Sequence, residues 1–417
     1  MQITYKDIIR YFSLFLILLS FVIELNLLSF NDRTRILTFL YGLFTLFYLF
    51  MFIRFRIKFP PIILTIIFFL VYLTALASFS SDKVISYNYL AKFGFGVLSF
   101  ITGYNFFFRG RDLRLIARGA LLILATGLAI TFYNNFRHAG ISLYENDFYG
   151  QSLATTYNTF ALLVTVVLTF SFFYSRREII FSVILSFLTV FLLFLVFKRS
   201  PLLIIGMAGL STLLFSAGLL KVNSKLRRNL LLLIMLVAAA YPLYRNVLNN
   251  NLMARKAAFE SKIEDQPRYK ENIAVLQQIA VDPVSLLIGT REVFNSRGSV
   301  IYRDRMLHTD YANILWGGGI IGFLVYFGIY VYLLRYYIRV RIKLKNDYQA
   351  NSIAFAGIII IQSYFICAMS QAWTSISVMS VIMIVCGAVY GNLKARQQIV
   401  SNNIKADQGV KAGEKKA

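Results

Sequence analysis

Long apolar runs recur along this chain, separated by short polar turns, and many of them approach 20 residues, about the length an α-helix needs to cross a hydrocarbon core of roughly 30 Å. In lipid the backbone has to satisfy its own hydrogen bonds, so only helices and closed barrels can span. These runs are continuous in Leu, Ile and Phe and do not alternate, which excludes barrel strands. The reading is an all-α, polytopic integral membrane protein, and a content of 58% hydrophobic and 15% charged residues agrees with it.

The runs predict about twelve spans, at 8–30, 36–53, 60–79, 86–108, 115–133, 153–174, 179–197, 201–220, 229–245, 312–334, 351–370 and 373–391. The chain then divides into helices one to nine over 1–245, a polar region over 246–311, helices ten to twelve over 312–391, and a charged, disordered tail over 392–417. Lys6 and Arg10 precede the first run, and no small-residue cleavage site follows it, which predicts an uncleaved first helix.

A net charge of +24 suggests nucleic acid until the basic residues are sorted by side. Arg54, Arg56 and Lys58 follow the second span, and Arg109, Arg111 and Arg114 follow the fourth; short basic loops belong in the cytoplasm. Alternation then places Arg176 and Arg177, the cluster from Lys221 to Arg228, the cluster from Arg335 to Lys345, the tail and both termini on that same side. The charge becomes a topology signal, and nucleic acid loses its support.

Two longer segments fall on the opposite, outer side. Residues 134–152 hold Arg137, His138, Glu145 and Asp147; residues 246–311 hold Arg255, Arg268, Arg291, Arg303 and Arg305. Long translocated segments escape the positive-inside rule, so these charges leave the topology intact. In the larger segment Asp265 or Gln266 can cap a helix and Pro267 suits a first turn. Ile273, Leu276, Ile279 and Ala280 then lie at helical spacing before Asp282-Pro283, which predicts an amphipathic helix over 267–280.

Three places could carry chemistry. Lys198-Arg199-Ser200-Pro201 is a basic turn on the charge-poor outer side. Either it binds a lipid diphosphate, which a guanidinium grips with paired charge-assisted hydrogen bonds, or its side chains reach for headgroups at a helix end. Arg268 opens the amphipathic helix, where backbone N–H groups favour an anion, although a solvated helix face with Glu264 or Glu271 as partner accounts for it more simply. His308, one of two histidines, stands where the outer loop enters a helix; an imidazole of ordinary pKa about 6.5 could take a proton from a sugar hydroxyl, or could be an interfacial polar residue.

Other polar residues offer less. His138 reads as solvated, and Glu24 and Lys92, in or near spans, are functional, paired or reaching an interface. Cys367 and Cys386 lie in apolar runs, so no disulfide framework or cysteine metal site is expected. The outer loops carry no Asp-x-Asp or histidine cluster, and no metal or other cofactor is expected.

Taken together, the motifs resemble a known family. His308-Thr309, nine residues, then Gly319-Ile320-Ile321-Gly322 is similar to the signature of bacterial O-antigen ligases and the related O-antigen polymerases, with Thr309 where Asn, Ser or Gln is usual. Arg268 to Gly289 resembles the segment leading to that motif, with Asn272 where an aromatic often stands, and Lys198-Arg199-Ser200-Pro201 resembles the family's basic periplasmic turn. The likeness covers about residues 190–330.

The resemblance implies a C-type glycosyltransferase fold in the bacterial inner membrane, with a periplasmic active site and metal-independent, inverting transfer from an undecaprenyl-diphosphate-linked glycan. Arg199 and Arg268 would bind the diphosphate, His308 would be the catalytic base, and Lys198, Arg305 and Asp310 are candidate supporting residues. The acceptor would be lipid A-core for a ligase, favoured by the His-x10-Gly-x-x-Gly spacing, or a lipid-linked repeat unit for a polymerase. A flippase would instead spread charge through several spans, and a scaffold would leave the basic turn and His308 without a purpose.

Overall fold

The computed structural model describes residues 4–25, 30–139, 154–196, 199–216, 267–295, 307, 309–344, 346–370, 372 and 375–414, with isolated positions 235, 236, 245 and 249. The described residues are helical and contain no strand. In chain order the helices are α1 (Tyr5–Glu24), α2 (Phe30–Arg54), α3 (Pro61–Ala77), α4 (Lys83–Phe106), α5 (Gly110–Ala139), α6 (Ala154–Thr169), α7 (Arg176–Val196) and α8 (Arg199–Ser216). Two short ones follow, α9 (Pro267–Ile279) and α10 (Pro283–Ile288), and then α11 (Asp310–Lys343), α12 (Tyr348–Cys367) and α13 (Ile376–Glu414).

Six stretches among the described residues are long and apolar enough to cross a membrane: Ile36–Arg54, Lys83–Phe106, Gly110–Tyr133, Asp310–Lys343, Tyr348–Cys367 and Ile376–Ile399. Pro61–Ala77, Tyr157–Thr169 and Ser200–Ser211 are shorter apolar helices. The predicted stretch 229–245 lies almost wholly outside the described residues, as does the polar segment 246–266. One expectation is corrected at the C-terminal end. The backbone from 392 to 414, read as a disordered tail, continues α13, because the sequence there has no proline and is rich in Ala, Lys and Gln, which favour helix.

Sequence explains where the helices begin. Thr4 and Asp7 form a reciprocal capping box on α1. Asp82 accepts from the Ile85 N–H at 3.0 Å on α4, and Asp347 from the Ala350 N–H at 2.9 Å on α12. Pro61 opens α3, where its missing N–H costs nothing.

The bundle is built around α13, in which every residue from 376 to 393 is buried. It packs along α4 through glycines on both helices. A Cβ on Gly103 would stand 2.9 Å from the Ala388 nitrogen, and one on Gly391 would stand 2.8 Å from the Tyr104 oxygen. Backbones approach that closely only where side chains are absent, which is how helices associate when no hydrophobic effect drives them together.

Polar contacts sort the helix ends into two groups. At one end Arg10 donates to the Phe106 carbonyl at 2.7 Å and pairs with Asp7 at 2.7 Å and Asp112 at 3.1 Å. At that same end Asn392 donates to the Phe108 carbonyl at 2.6 Å, and Arg396 pairs with Asp347 at 2.8 Å. The basic clusters after α2, α4 and α11 gather here. At the other end the Ser375 hydroxyl donates to Glu24 at 2.7 Å, and the Tyr311 hydroxyl to the Phe365 carbonyl at 2.7 Å. That second end holds α9, α10 and the start of α11.

Candidate functional site

His308 lies outside the described residues, as do Lys198 and Arg305, and the side chains of Arg199 and Arg268 lie outside them too. The backbone of Arg199, Arg268 and residues 307 and 309 is described, and it places two of the three motifs together. Arg199 is the first residue of α8, which packs on α6 and α12. Arg268 is the second residue of α9, which packs on α11.

The two sequence neighbours of residue 308 are held by a single side chain. Asn313, one turn into α11, donates from its amide nitrogen to the carbonyl of Leu307 at 2.8 Å and to the carbonyl of Thr309 at 2.8 Å. Thr309 is the N-cap of α11, its hydroxyl accepting from the Ala312 N–H at 3.1 Å. The same hydroxyl donates to Asn272 Oδ1 of α9 at 3.3 Å. Arg268 precedes Asn272 by one helical turn, so this bond ties the arginine's helix to the entrance of α11.

Beneath these bonds Val275 and Ile279 of α9 pack with Leu307, Ala312 and Trp316 in a small apolar core. Of the apolar residues read at helical spacing, Ile279 is the one turned into this core. Ile273 and Leu276 are 36% and 45% exposed, while Val275 and Ile279 are buried. Val281, Val284 and Leu287 are exposed on the same segment. Ile273 and Leu276, turned outward, suit a helix lying against lipid, where apolar side chains need no protein partner.

The glycines after His308 have a definite task. Gly319 breaks α11, with φ 62° and ψ −165°, a region essentially reserved for glycine. Gly289, at the end of α10, takes φ 73° and ψ −171° and nests against the break; a Cβ on it would lie 2.6 Å from both the Gly319 nitrogen and the Trp316 oxygen. At the break the Trp316 carbonyl accepts from the Thr290 N–H at 2.8 Å and from the Thr290 hydroxyl at 3.0 Å. The Gly318 carbonyl accepts from the Tyr72 hydroxyl of α3 at 2.8 Å. The backbone oxygens at this apolar break thus have partners from other elements, as burial requires.

A second anchor joins this segment to the turn before α4. Glu292 accepts from the Ser80 hydroxyl at 2.7 Å, the Ser81 N–H at 2.8 Å and the Asn295 amide at 2.9 Å. Burial pushes the Glu292 carboxyl up, but the Ser80, Ser81 and Asn295 donors outweigh it and hold the group below its ordinary value of 4.5. A depressed folded-state pKa contributes stability that is complete above the unfolded value, and that contribution is lost as pH falls through the depressed one. Hydrogen-exchange protection of residues 283–295 is therefore expected to be level from neutral pH down to about 4.5 and to decline below it, with Glu292→Gln removing the decline. A decline beginning near pH 6 would contradict the assignment.

Asp310, a candidate supporting residue, is fully buried, and the Tyr326 hydroxyl donates to it at 3.4 Å. It sits in the first turn of α11, where the helix dipole favours an acid, and Tyr326 in turn meets Tyr330 and Tyr364. This location makes Asp310 an internal anchor of the α11 entrance. Among the described residues no cluster of His, Cys, Asp or Glu could hold a metal.

No family model matches the sequence, and no curated protein matches it. The arrangement therefore has to be read on its own geometry. It consists of a braced backbone at residues 307 and 309, an arginine-bearing helix fastened to it, and a glycine-mediated break that lets α10 approach.

Proposed function

We propose that this protein is a membrane glycosyltransferase that moves a glycan from undecaprenyl diphosphate to an acceptor hydroxyl, acting as an O-antigen ligase on lipid A-core. The observation that carries this reading is the Thr309–Asn272 bond with the Asn313 brace, which fastens the helix of Arg268 to the backbone flanking His308. A base and an anion-binding arginine on separately folded elements need such a tie to act on one substrate.

In this reading Arg268 and Arg199 hold the diphosphate and stabilise the charge that grows on it as the anomeric bond breaks. His308 takes the proton from the acceptor hydroxyl, whose oxygen attacks the anomeric carbon in line and inverts it. Lys198 and Arg305 add positive charge beside the leaving group. The exposed apolar side of α9 and α10 supports a site at a lipid surface, where a polyprenyl donor resides. The chemistry needs no metal, because the cationic side chains neutralise the leaving diphosphate. The site opens to the periplasm of an inner-membrane protein with both termini in the cytoplasm, in keeping with the basic loops gathered at the opposite end.

The alternative acceptor is a second lipid-linked repeat unit, which would make the protein an O-antigen polymerase. The donor half of the reaction is common to both, and it is the His308–Gly319 spacing that favours the ligase. Deleting the gene and examining the surface glycan separates the two. Loss of all polymer from the lipid core, with lipid-linked polymer accumulating, is the expected result. A core carrying a single repeat unit would make the protein a polymerase, and an unchanged glycan profile would overturn both.

A further inference from the structure

The end of the bundle remote from residue 309 contains a cavity of about 600 Å³ that the transfer reaction does not use. Lys6 of α1, Arg56 and Lys58 of the α2–α3 loop, and Lys394 of α13 line it, and no acidic residue does. Among the described residues none of these four cations forms an ion pair. The nearby acids are committed: Asp7 and Asp112 are engaged by Arg10. Lys6 also borders an adjoining cavity of about 400 Å³, which Arg109 and Arg111 line as well.

The cationic loop is held in place. Asn105 accepts from the Lys58 N–H at 2.9 Å and donates back to the Lys58 carbonyl at 3.3 Å, gripping the backbone as a neighbouring strand would. Pro60 and Pro61 then fix the chain as it enters α3. Like charges gathered in one cavity without a counter-charge repel one another, and an anion placed among them relieves that cost. The remaining wall is largely aromatic, with Tyr104, Phe106 and Phe108 contributing, and it stands where the apolar stretches end.

We propose that this cavity binds the phosphate headgroup of an anionic phospholipid from the leaflet on the basic side. The cations take the phosphodiester, and the aromatic wall takes the glycerol and first methylenes. The choice of a lipid over a soluble phosphate rests on that wall, since a free anion gains nothing from apolar surface. Each basic side chain that reaches the bound headgroup adds about fivefold in affinity.

The test uses the full-length protein, purified in detergent and mixed with cardiolipin, phosphatidylglycerol or phosphatidylcholine, with retained lipid counted by native mass spectrometry. The triple variant Arg56→Gln, Lys58→Gln, Lys394→Gln should weaken retention of cardiolipin and phosphatidylglycerol by at least about tenfold. A charge-matched control, Arg335→Gln, Arg339→Gln, Lys343→Gln, removes three cations from the same end but outside the cavity and should leave retention within about twofold. Lys58→Arg, which keeps the charge, should retain the lipid and shows that the loop tolerates substitution. Equal losses in the two triple variants, or no loss in the first, would overturn the proposal. Displacement of the lipid by millimolar inorganic phosphate would also overturn it, by making the ligand a soluble anion.

Discussion

His308→Ala is expected to lower glycan transfer by about 100- to 10,000-fold, the usual contribution of a positioned general base. The protein should reach the membrane in normal amount, because the bonds that fix this place in the chain are made by its neighbours. Asn313 holds the carbonyls of Leu307 and Thr309, and Thr309 caps α11, so removing the imidazole removes none of these contacts. The measurement is polymer transfer from a lipid-linked donor in membranes, alongside protein level and protease pattern. Wild-type transfer by a well-expressed variant would sink the assignment of His308 as base.

Gly319→Ala should be the most disruptive single methyl group on this face. Its backbone lies where non-glycine residues are strained by about 1–3 kcal/mol. The added carbon would in addition overlap backbone atoms of Gly289 and Leu287, and overpacking of that kind costs about 1–3 kcal/mol more. Neither neighbour can yield by a side-chain rotation, since the atoms in the way are backbone. The segment 283–295 should therefore detach, exposing it to protease, with a lowered Tm for the purified protein. Gly328→Ala, on the same helix with open space around it, is the control and should change neither. Equal protease resistance in the two variants would show that the break is not what holds α10.

Much of the fold was legible because the helices announce themselves in continuous apolar runs, and membrane helices need little else to form. Pro267 and Asp282-Pro283 likewise marked the limits of α9, although Asp282 also begins the next helix by accepting from Val284 and Ser285. The packing of α9 was not legible. Ile273 and Leu276 carry the larger apolar surface, but Val275 and Ile279 face α11, because in a chain surrounded by lipid an apolar residue has two favourable places to go.

The candidate site was legible in part. Arg268 and Thr309 were noticed for their type, and the bond through Asn272, across 37 residues, is what relates them. Asn313 and Glu292 were missed. Both act by gripping backbone, Glu292 across 211 residues, and no local pattern encodes such a partner. The one available signal for Asn313 was a polar amide inside the first turn of an apolar span, where an unpaired amide is costly. Gly319 stood out in the sequence only as part of the motif that ends at Gly322, and in the structure it admits the protein's own α10.

The clamped break also divides α11 mechanically. Thr290 occupies the Trp316 carbonyl and Tyr72 occupies that of Gly318, so the turns from Asp310 to Trp316 take their bearing from α3 and from the segment after α10. The inner length of the helix, from Ile320 onward, is aligned by its own neighbours. Gly319 is then a pivot between two rods that the Tyr326–Asp310 bond links across the break, and α3, which touches the outer rod through Tyr72 and the inner one through Phe69 on Tyr326, would carry a tilt to residue 309 as a lever arm carries it to its tip.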